Sequence, residues 1–222
     1  MKLRSLTRIF AFFALLYSQT VMAIEEPSFQ VLTTEGPFQV RQYAPMLIAE
    51  VLVEGDMDEA SNKGFRLIAD FIFGNNSASS VEQKSKIAMT APVTVEPQPL
   101  KIPMTAPVTV EPQASGAPAA PFAANQWRVS FVMPAKFTLS NIPKPINSAV
   151  VLREIPGKVF VVHTYSGFNF MSKVETKIQE TMRWSERRSL KMIGTPQLAR
   201  YDPPWTLPMF RRNEILIEVS QP

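Results

Sequence analysis

Alternating apolar and polar positions predict three strands near the start of the chain, at residues 28–34, 37–43 and 46–53. An apolar spacing of three and four then predicts a helix that begins at Gly55-Asp56 and ends near Phe73, with Asp56 as its N-cap. The expected buried face of this helix comprises Ala60, Gly64, Leu67, Ile68 and Phe71.

The second half of the sequence repeats this arrangement. Residues 127–133 alternate as a strand, and residues 149–155 and 158–166 predict a hairpin. A second helix is predicted over about 169–190, ended by Gly194, and two strands follow at 197–201 and 213–219. Strands around one helix in each half indicate an α+β fold, a curved antiparallel sheet or distorted β-barrel with two outer helices.

A short run is written twice between the two halves. KIAMTAPVTVEPQ (86–98) recurs as KIPMTAPVTVEPQ (101–113), with Ala88→Pro103 as the only change. We expect the first copy to occupy the sheet, because Pro103 lacks the backbone N–H that a central strand would use. Residues 96–125 are then a Pro-rich duplicated insert, and deleting residues 99–113 should preserve the fold.

The first 23 residues have the pattern of a secretory signal peptide. Lys2, Arg4 and Arg8 precede the apolar run 9–16, and Val21-Met22-Ala23 suits cleavage before Ile24. We therefore expect a single domain over residues 24–222, exported to the periplasm or the extracellular space. An uncleaved N-terminal anchor is the alternative, although run 9–16 is short for a membrane span.

Charge and composition exclude several classes of function. Because the signal segment carries three of the positive charges, the formal net charge of +4 falls to +1 after its removal, and nucleic-acid binding loses its support. The chain has no Cys and one His, which makes a zinc site improbable. The sequence contains neither a G-x-S-x-G elbow nor a Gly-rich phosphate loop, so we expect a non-enzymatic protein.

Several separate segments together resemble the SOUL/heme-binding protein family. They are FQVRQY (38–43), KIAMTAPV (86–93), WRVSFVMP (127–134), Pro143-Lys144-Pro145, Ser166-Gly167 and YDPPWTLPMFRRNEILI (201–217). The resemblance implies two pseudo-symmetric halves, each with a helix packed on a four-stranded sheet. It also implies that heme or another tetrapyrrole binds in a hydrophobic cleft beside the first helix.

The resemblance implies a set of ligand-binding candidates. The first helix contributes Asn62, Phe65, Arg66 and Ala69, and other segments contribute Met89, Tyr201 and Trp205. Relatives that bind heme carry basic groups on this helix and on the late Pro-rich loop, where this chain has Asn62, Asp70 and Leu207. Arg66 and Lys63 are nearby on the helix but on different faces, and Arg66→Ala tests contact with a heme propionate.

His163 is the candidate axial ligand of heme iron, because a neutral imidazole binds iron well. The favoured interpretation is a half-buried strand residue that shares a face with Val161 and Tyr165. Met89 and its counterpart Met104 are more often packing groups than iron ligands. Arg211-Arg212-Asn213-Glu214 reads as a charged start to the last strand, with an internal salt bridge.

These observations favour an exported, non-enzymatic tetrapyrrole-binding protein that acts as a carrier or buffer. The alternative is a binding module of the same fold that holds another apolar small molecule or a protein partner. After removal of the signal segment we expect no stable membrane span.

Overall fold

The computed structural model describes residues 25–77, 86–97, 126–203 and 205–220. The two helices are α1 (Met57–Ile72) and α2 (Met171–Arg187), and Pro208–Phe210 forms a 3₁₀ turn. The strands are β1 (Phe29–Glu35), β2 (Phe38–Tyr43), β3 (Met46–Glu54), β4 (Asn76–Ser77), β5 (Val93–Pro97), β6 (Gln126–Val132), β7 (Lys144–Pro145), β8 (Val151–Ile155), β9 (Lys158–Tyr165), β10 (Gln197–Arg200) and β11 (Asn213–Val219).

Nine of these strands form one antiparallel sheet in the order β1-β2-β9-β11-β10-β5-β6-β3-β8, while β4 and β7 pair separately. The sheet is curled, because side chains from β8 at one edge and from β9 near the other edge line the same cavity. The predicted α+β fold with a curved antiparallel sheet and two helices is confirmed. In each half the helix follows three strands of this sheet, β1–β3 before α1 and β6, β8 and β9 before α2.

The first copy of the duplicated run occupies the sheet, as expected. Its strand β5 pairs with β10 on one side and with β6 on the other. The reason given from the sequence was wrong, because Ala88 precedes the strand and the five residues of β5 (VTVEP) are identical in the two copies. The second copy, including Met104, and the signal segment lie outside the described residues.

The helices pack on one face of the sheet through its apolar positions. Asp56 caps α1 by accepting from the N–H groups of Asp58 and Glu59, as predicted. Gly64 allows close approach, because a Cβ there would lie 2.6 Å from the Cβ of Val129 on β6. Ile68 and Phe71 pack in the same core with residues of β3 and β6, and this packing together with the close approach at Gly64 fixes the position of α1 on the sheet.

The second helix differs from the prediction at its end. It ends at Arg187, and Ser189 follows with φ 54, so Gly194 does not terminate it. Gly194 instead lies against β11, where a Cβ would come 2.9 Å from the Cβ of Glu218. Within the described residues no helix is long and apolar enough to cross a membrane.

Candidate functional site

One side of α1 carries all four candidates that were expected on this helix. Asn62, Phe65, Arg66 and Ala69 share a face because they follow helical spacing. Asn62 and Arg66 are exposed, whereas Ala69 is buried. The ring of Phe65 remains 37% exposed and lies 5.5 Å from that of Phe131 on β6. The helix thus presents an aromatic ring beside an exposed guanidinium group.

Met89 is positioned by the segment that leads into β5. This segment is fixed to the C-terminal end of α1, because the Ile87 N–H donates to the Ile72 carbonyl at 2.8 Å. Met89 itself is half-buried and packs against the same core as α1. Its thioether is therefore a packing group in this structure.

The late loop (201–212) leaves the sheet beside the first turn of α1. Arg200, the last residue of β10, donates from Nη2 to Asp58 Oδ1 at 3.0 Å. Beyond it Trp205 is 82% exposed, and Leu207, Met209 and Phe210 are also exposed. Four large apolar side chains in water on one short loop are unusual for a protein surface and indicate a binding role.

A second loop extends this exposed surface. Phe168 and Phe170 are exposed, and their ring centroids lie 5.3 Å apart. The guanidinium carbon of Arg211 lies 5.5 Å from the ring centroid of Phe168, which joins the two loops. We call the exposed side chains of both loops the apolar loop surface, which comprises Phe168, Phe170, Trp205, Leu207, Met209 and Phe210.

Most of the apolar loop surface was missed by sequence reasoning, which selected Trp205 as its ligand-binding candidate on these two loops. The available signal was the density of large apolar residues in two segments that are too short and too rich in turn residues to be strands, SGFNF and WTLPMF. Arg200 was also missed, because a basic residue at the end of a predicted strand gives no indication of its partner.

Tyr201 points away from the apolar loop surface into a buried polar network. Its hydroxyl donates to Glu214 Oε2 at 2.6 Å, and Arg212 covers one face of its ring, 3.5 Å from the centroid. Burial and the negative charge of Glu214 raise the pKa of Tyr201 well above its usual value. A stacking role for Tyr201 would therefore compete with Arg212 for the ring.

The predicted internal salt bridge of residues 211–214 is wrong. Glu214 pairs instead with Arg41 of β2 at 3.0 Å, and Arg212 pairs with Glu26 at 2.6 Å. The cause is strand alternation: Glu214 faces the concave side of the sheet, where β2 supplies a cation two strands away. A local sequence run cannot reveal this partner.

His163 is buried beneath α2. It shares a face of β9 with Val161 and Tyr165, as expected, but the expected half-burial is wrong, because α2 covers this face and His163 is only 3% exposed. Its Nδ1 lies 3.2 Å from Thr181 Oγ1, and its ring centroid lies 4.2 Å from that of Phe38. Burial lowers the pKa of His163, which keeps the imidazole neutral at pH 7. Iron ligation by this residue would require its contacts with β2 and α2 to open.

Two cavities lie away from the helix face. The interior cavity, of about 170 Å³, lies on the concave side of the sheet and is partly open to solvent. A second cavity, of about 440 Å³, lies between residues 25–28 and the ends of β3 and β6. Neither is lined by a residue of α1, so the candidates on that helix face open surface rather than either cavity.

The sequence of this chain matches one known protein family over residues 24–218. The model of the family described as SOUL heme-binding protein matches residues 24–101 and 96–218. The chain belongs to the SOUL heme-binding protein family. The two matches overlap at residues 96–101, where the first copy of the duplicated run ends and the second begins. At the level of the family, a small-molecule tetrapyrrole is the ligand and heme is the candidate cofactor.

Solved structures share the fold at low sequence identity. The EcmrR C-terminal domain is 12% identical with a TM-score of 0.56, over 87% of this chain and 99% of that one. A hydrolase from Listeria innocua is 13% identical with a TM-score of 0.52, over 85% and 94%. An uncharacterized conserved protein from Listeria innocua is 13% identical with a TM-score of 0.53, over 82% and 92%. No curated protein matches the chain significantly in sequence.

Proposed function

We propose that this protein is an exported, non-enzymatic tetrapyrrole carrier or buffer that holds heme beside α1. The observation that carries the proposal is the junction of the exposed α1 face with the apolar loop surface, made by the Arg200–Asp58 ion pair at 3.0 Å. Phe65 on the helix is 37% exposed and Trp205 on the loop is 82% exposed, so both rings are accessible to a ligand. Membership of a heme-binding family supports the same ligand.

Apolar contact would supply most of the binding energy. A tetrapyrrole is flat and largely apolar, and each Å² of apolar surface removed from water contributes about 25 cal/mol. The exposed side chains of the apolar loop surface are available for this burial without unfolding any strand. Aromatic and other apolar side chains on surface loops can contact a flat ligand that must also be released.

Charge would orient the ligand. Arg66 is exposed on the α1 face, where its guanidinium can pair with a propionate carboxylate. Arg200 lies at the other end of the same face, but Asp58 already neutralises it. Arg66 is therefore the group whose removal should weaken binding of a dicarboxylate porphyrin.

Export is supported by the sequence of residues 1–23, with its basic start, apolar run and small residues before Ile24. A carrier outside the cytoplasm would bind heme without a covalent link, since the chain has no Cys. Fractionation of the producing cell tests this part directly. Recovery of uncleaved protein in the cytoplasm would contradict it.

Hemin titration of the purified protein tests ligand binding. We expect a saturable one-to-one change in the Soret band together with quenching of tryptophan fluorescence. Arg66→Ala should weaken binding about tenfold or more, which corresponds to loss of one charge-assisted contact. Arg187→Ala is the matched control, because Arg187 is exposed on the last turn of α2, away from the α1 face.

His163→Ala separates propionate contact from iron ligation. An unchanged Soret position in His163→Ala with weaker binding in Arg66→Ala would establish propionate contact without an axial His. A Soret shift in His163→Ala would instead identify the imidazole as the ligand. Absence of any saturable spectral change in the unmodified protein would overturn the proposal.

A second function is favoured by the acidic residues of α1. Asp58 and Asp70 lie at the two ends of the helix, and Asp70 accepts from Asn75 Nδ2 at 2.5 Å. Because Arg200 already pairs with Asp58, the charge of Asp70 is the one that opposes a dicarboxylate ligand and suits a neutral apolar molecule or a protein partner on the same surface. Mass spectrometry of small molecules that co-purify with the protein distinguishes these ligands from heme.

A further inference from the structure

The interior cavity is lined by charged residues although it lies on the concave side of the sheet. Six ionisable side chains lie in or beside it, three acidic and three basic: Glu50, Glu96, Glu218, Arg128, Arg153 and Lys158. Ionised groups of this kind are costly to desolvate unless each is well paired. The distance between the charged atoms of each pair therefore indicates whether these six residues satisfy one another or leave a group available to a ligand.

Two of the three pairs are well formed. Arg153 donates to both carboxylate oxygens of Glu50, at 3.2 and 2.7 Å, and Lys158 donates to Glu218 at 2.6 Å. These four residues satisfy one another at the mouth of the cavity, where the Arg153 side chain is 46% exposed. They need no further partner.

The third pair, Arg128 and Glu96, is incomplete. These residues face each other on β6 and β5, but their closest charged atoms are 3.7 Å apart, beyond hydrogen-bond distance. Arg128 Nε is buried, lies 3.5 Å from Glu50 and has no hydrogen-bond partner among the described residues. Burial raises the pKa of the Glu96 carboxyl even though Arg128 opposes the shift. Arg128 Nε therefore remains free to donate a hydrogen bond, and it lies beside the partly desolvated carboxylate of Glu96.

We propose that the interior cavity binds a small zwitterion of the α-amino acid type, with its carboxylate on Arg128 and its ammonium group on Glu96. An α-amino acid carries its carboxylate and its ammonium group on the same carbon, so one small molecule can contact Arg128 and Glu96, whose closest charged atoms are 3.7 Å apart. A guanidinium also suits a carboxylate in particular, because its parallel N–H groups match the two oxygens.

Charge balance and size favour a zwitterion over a simple ion. The charges of the six side chains already sum to zero, so a ligand with net charge would leave one charge uncompensated among side chains that are only 14–46% exposed. The volume of about 170 Å³ is below the roughly 300–1,000 Å³ of drug-sized sites, which excludes a tetrapyrrole and suits a small molecule. The apolar walls would receive a short side chain and comprise Met46, Ile48, Ile155, Phe160 and Leu216.

Isothermal titration calorimetry of the purified protein with L-alanine tests this site, with acetate and methylammonium as probes of each half. We expect saturable one-to-one binding of L-alanine, with acetate and methylammonium at least tenfold weaker. Arg128→Gln and Glu96→Gln should each weaken L-alanine binding at least tenfold. Arg187→Gln and Glu154→Gln are the matched controls, because both residues are exposed and neither lines the cavity.

Three outcomes would overturn the proposal: no saturable heat with L-alanine or glycine, acetate binding as tightly as L-alanine, or unchanged binding in both cavity variants. If a charge variant fails to fold by circular dichroism, Ser130→Leu fills the same cavity without removing a charge. That variant should also abolish binding. Hemin titration in saturating L-alanine should be unchanged, which keeps this site separate from the surface beside α1.

Discussion

Replacing Glu214 by Ala should be among the most damaging single substitutions in the sheet. The Glu214 carboxylate is 1% exposed and accepts hydrogen bonds from Arg41 at 3.0 to 3.1 Å, from Tyr201 at 2.6 Å and from Thr164 at 3.2 Å. Its removal leaves the Arg41 guanidinium buried without its counter-charge. Breaking such a pair from one side costs about 3–5 kcal/mol of unfolding free energy.

Urea denaturation followed by circular dichroism measures this loss. For a chain of this size about 3–5 kcal/mol corresponds to a fall in Tm of roughly 6–20 °C. Glu26→Ala is the control, because the Glu26–Arg212 pair has similar chemistry but is about 40% exposed, and its loss should cost at most about 1 kcal/mol.

The double variant Arg41→Met/Glu214→Leu distinguishes an unpaired charge from a general packing defect. It removes both charges and keeps apolar volume, so it should be more stable than Glu214→Ala alone. A loss below about 1 kcal/mol in Glu214→Ala, or a double variant less stable than it, would refute the reasoning.

Three further predictions concern other parts of the sheet and its helices. Gly64→Ala should lower the free energy of unfolding in urea by about 1–3 kcal/mol, because its Cβ would lie 2.6 Å from the Cβ of Val129; an unchanged free energy of unfolding would contradict this close approach. The pKa of His163, the single His, should lie below 6.5 when measured by NMR, because burial lowers it. The free energy of unfolding should accordingly fall as the pH drops below about 6.5, because the unfolded chain then binds a proton that the folded chain does not. A measured pKa above 6.5 would contradict the burial of this imidazole. Deleting residues 99–113 should change the unfolding free energy by less than about 1 kcal/mol, because β5 is supplied by the first copy; loss of cooperative unfolding would show that the second copy is required.

The sequence predicted the helices and strands of this fold better than it predicted which residues contact their polar faces. Local periodicity identified both helices and the longer strands, because each buries one apolar face. The two-residue strands β4 and β7 were not foreseen, since each exists only through pairing with the other. A pattern such as WRVSFVM also shows that Arg128 and Ser130 share a face without showing that the curled sheet encloses it.

The same limit applies to the candidate sites. Family resemblance selected the α1 face, whose residues are adjacent by helical spacing alone. The apolar loop surface depends on two loops meeting in space, through contacts such as Arg211 with Phe168. The Arg128–Glu96 pair depends on the register of β6 against β5. Contacts between distant segments carry no local signature, so they become visible only in the folded chain.

The duplicated run gives the chain two ways to complete one sheet. Strand β5 and residues 108–112 have identical sequences, so β6 and β10 would meet the same side chains with either. The first copy forms β5 within the described residues, and the second copy keeps the same five side chains elsewhere in the chain. A substitution confined to residues 93–97 therefore leaves an unaltered copy of the strand sequence in the same molecule.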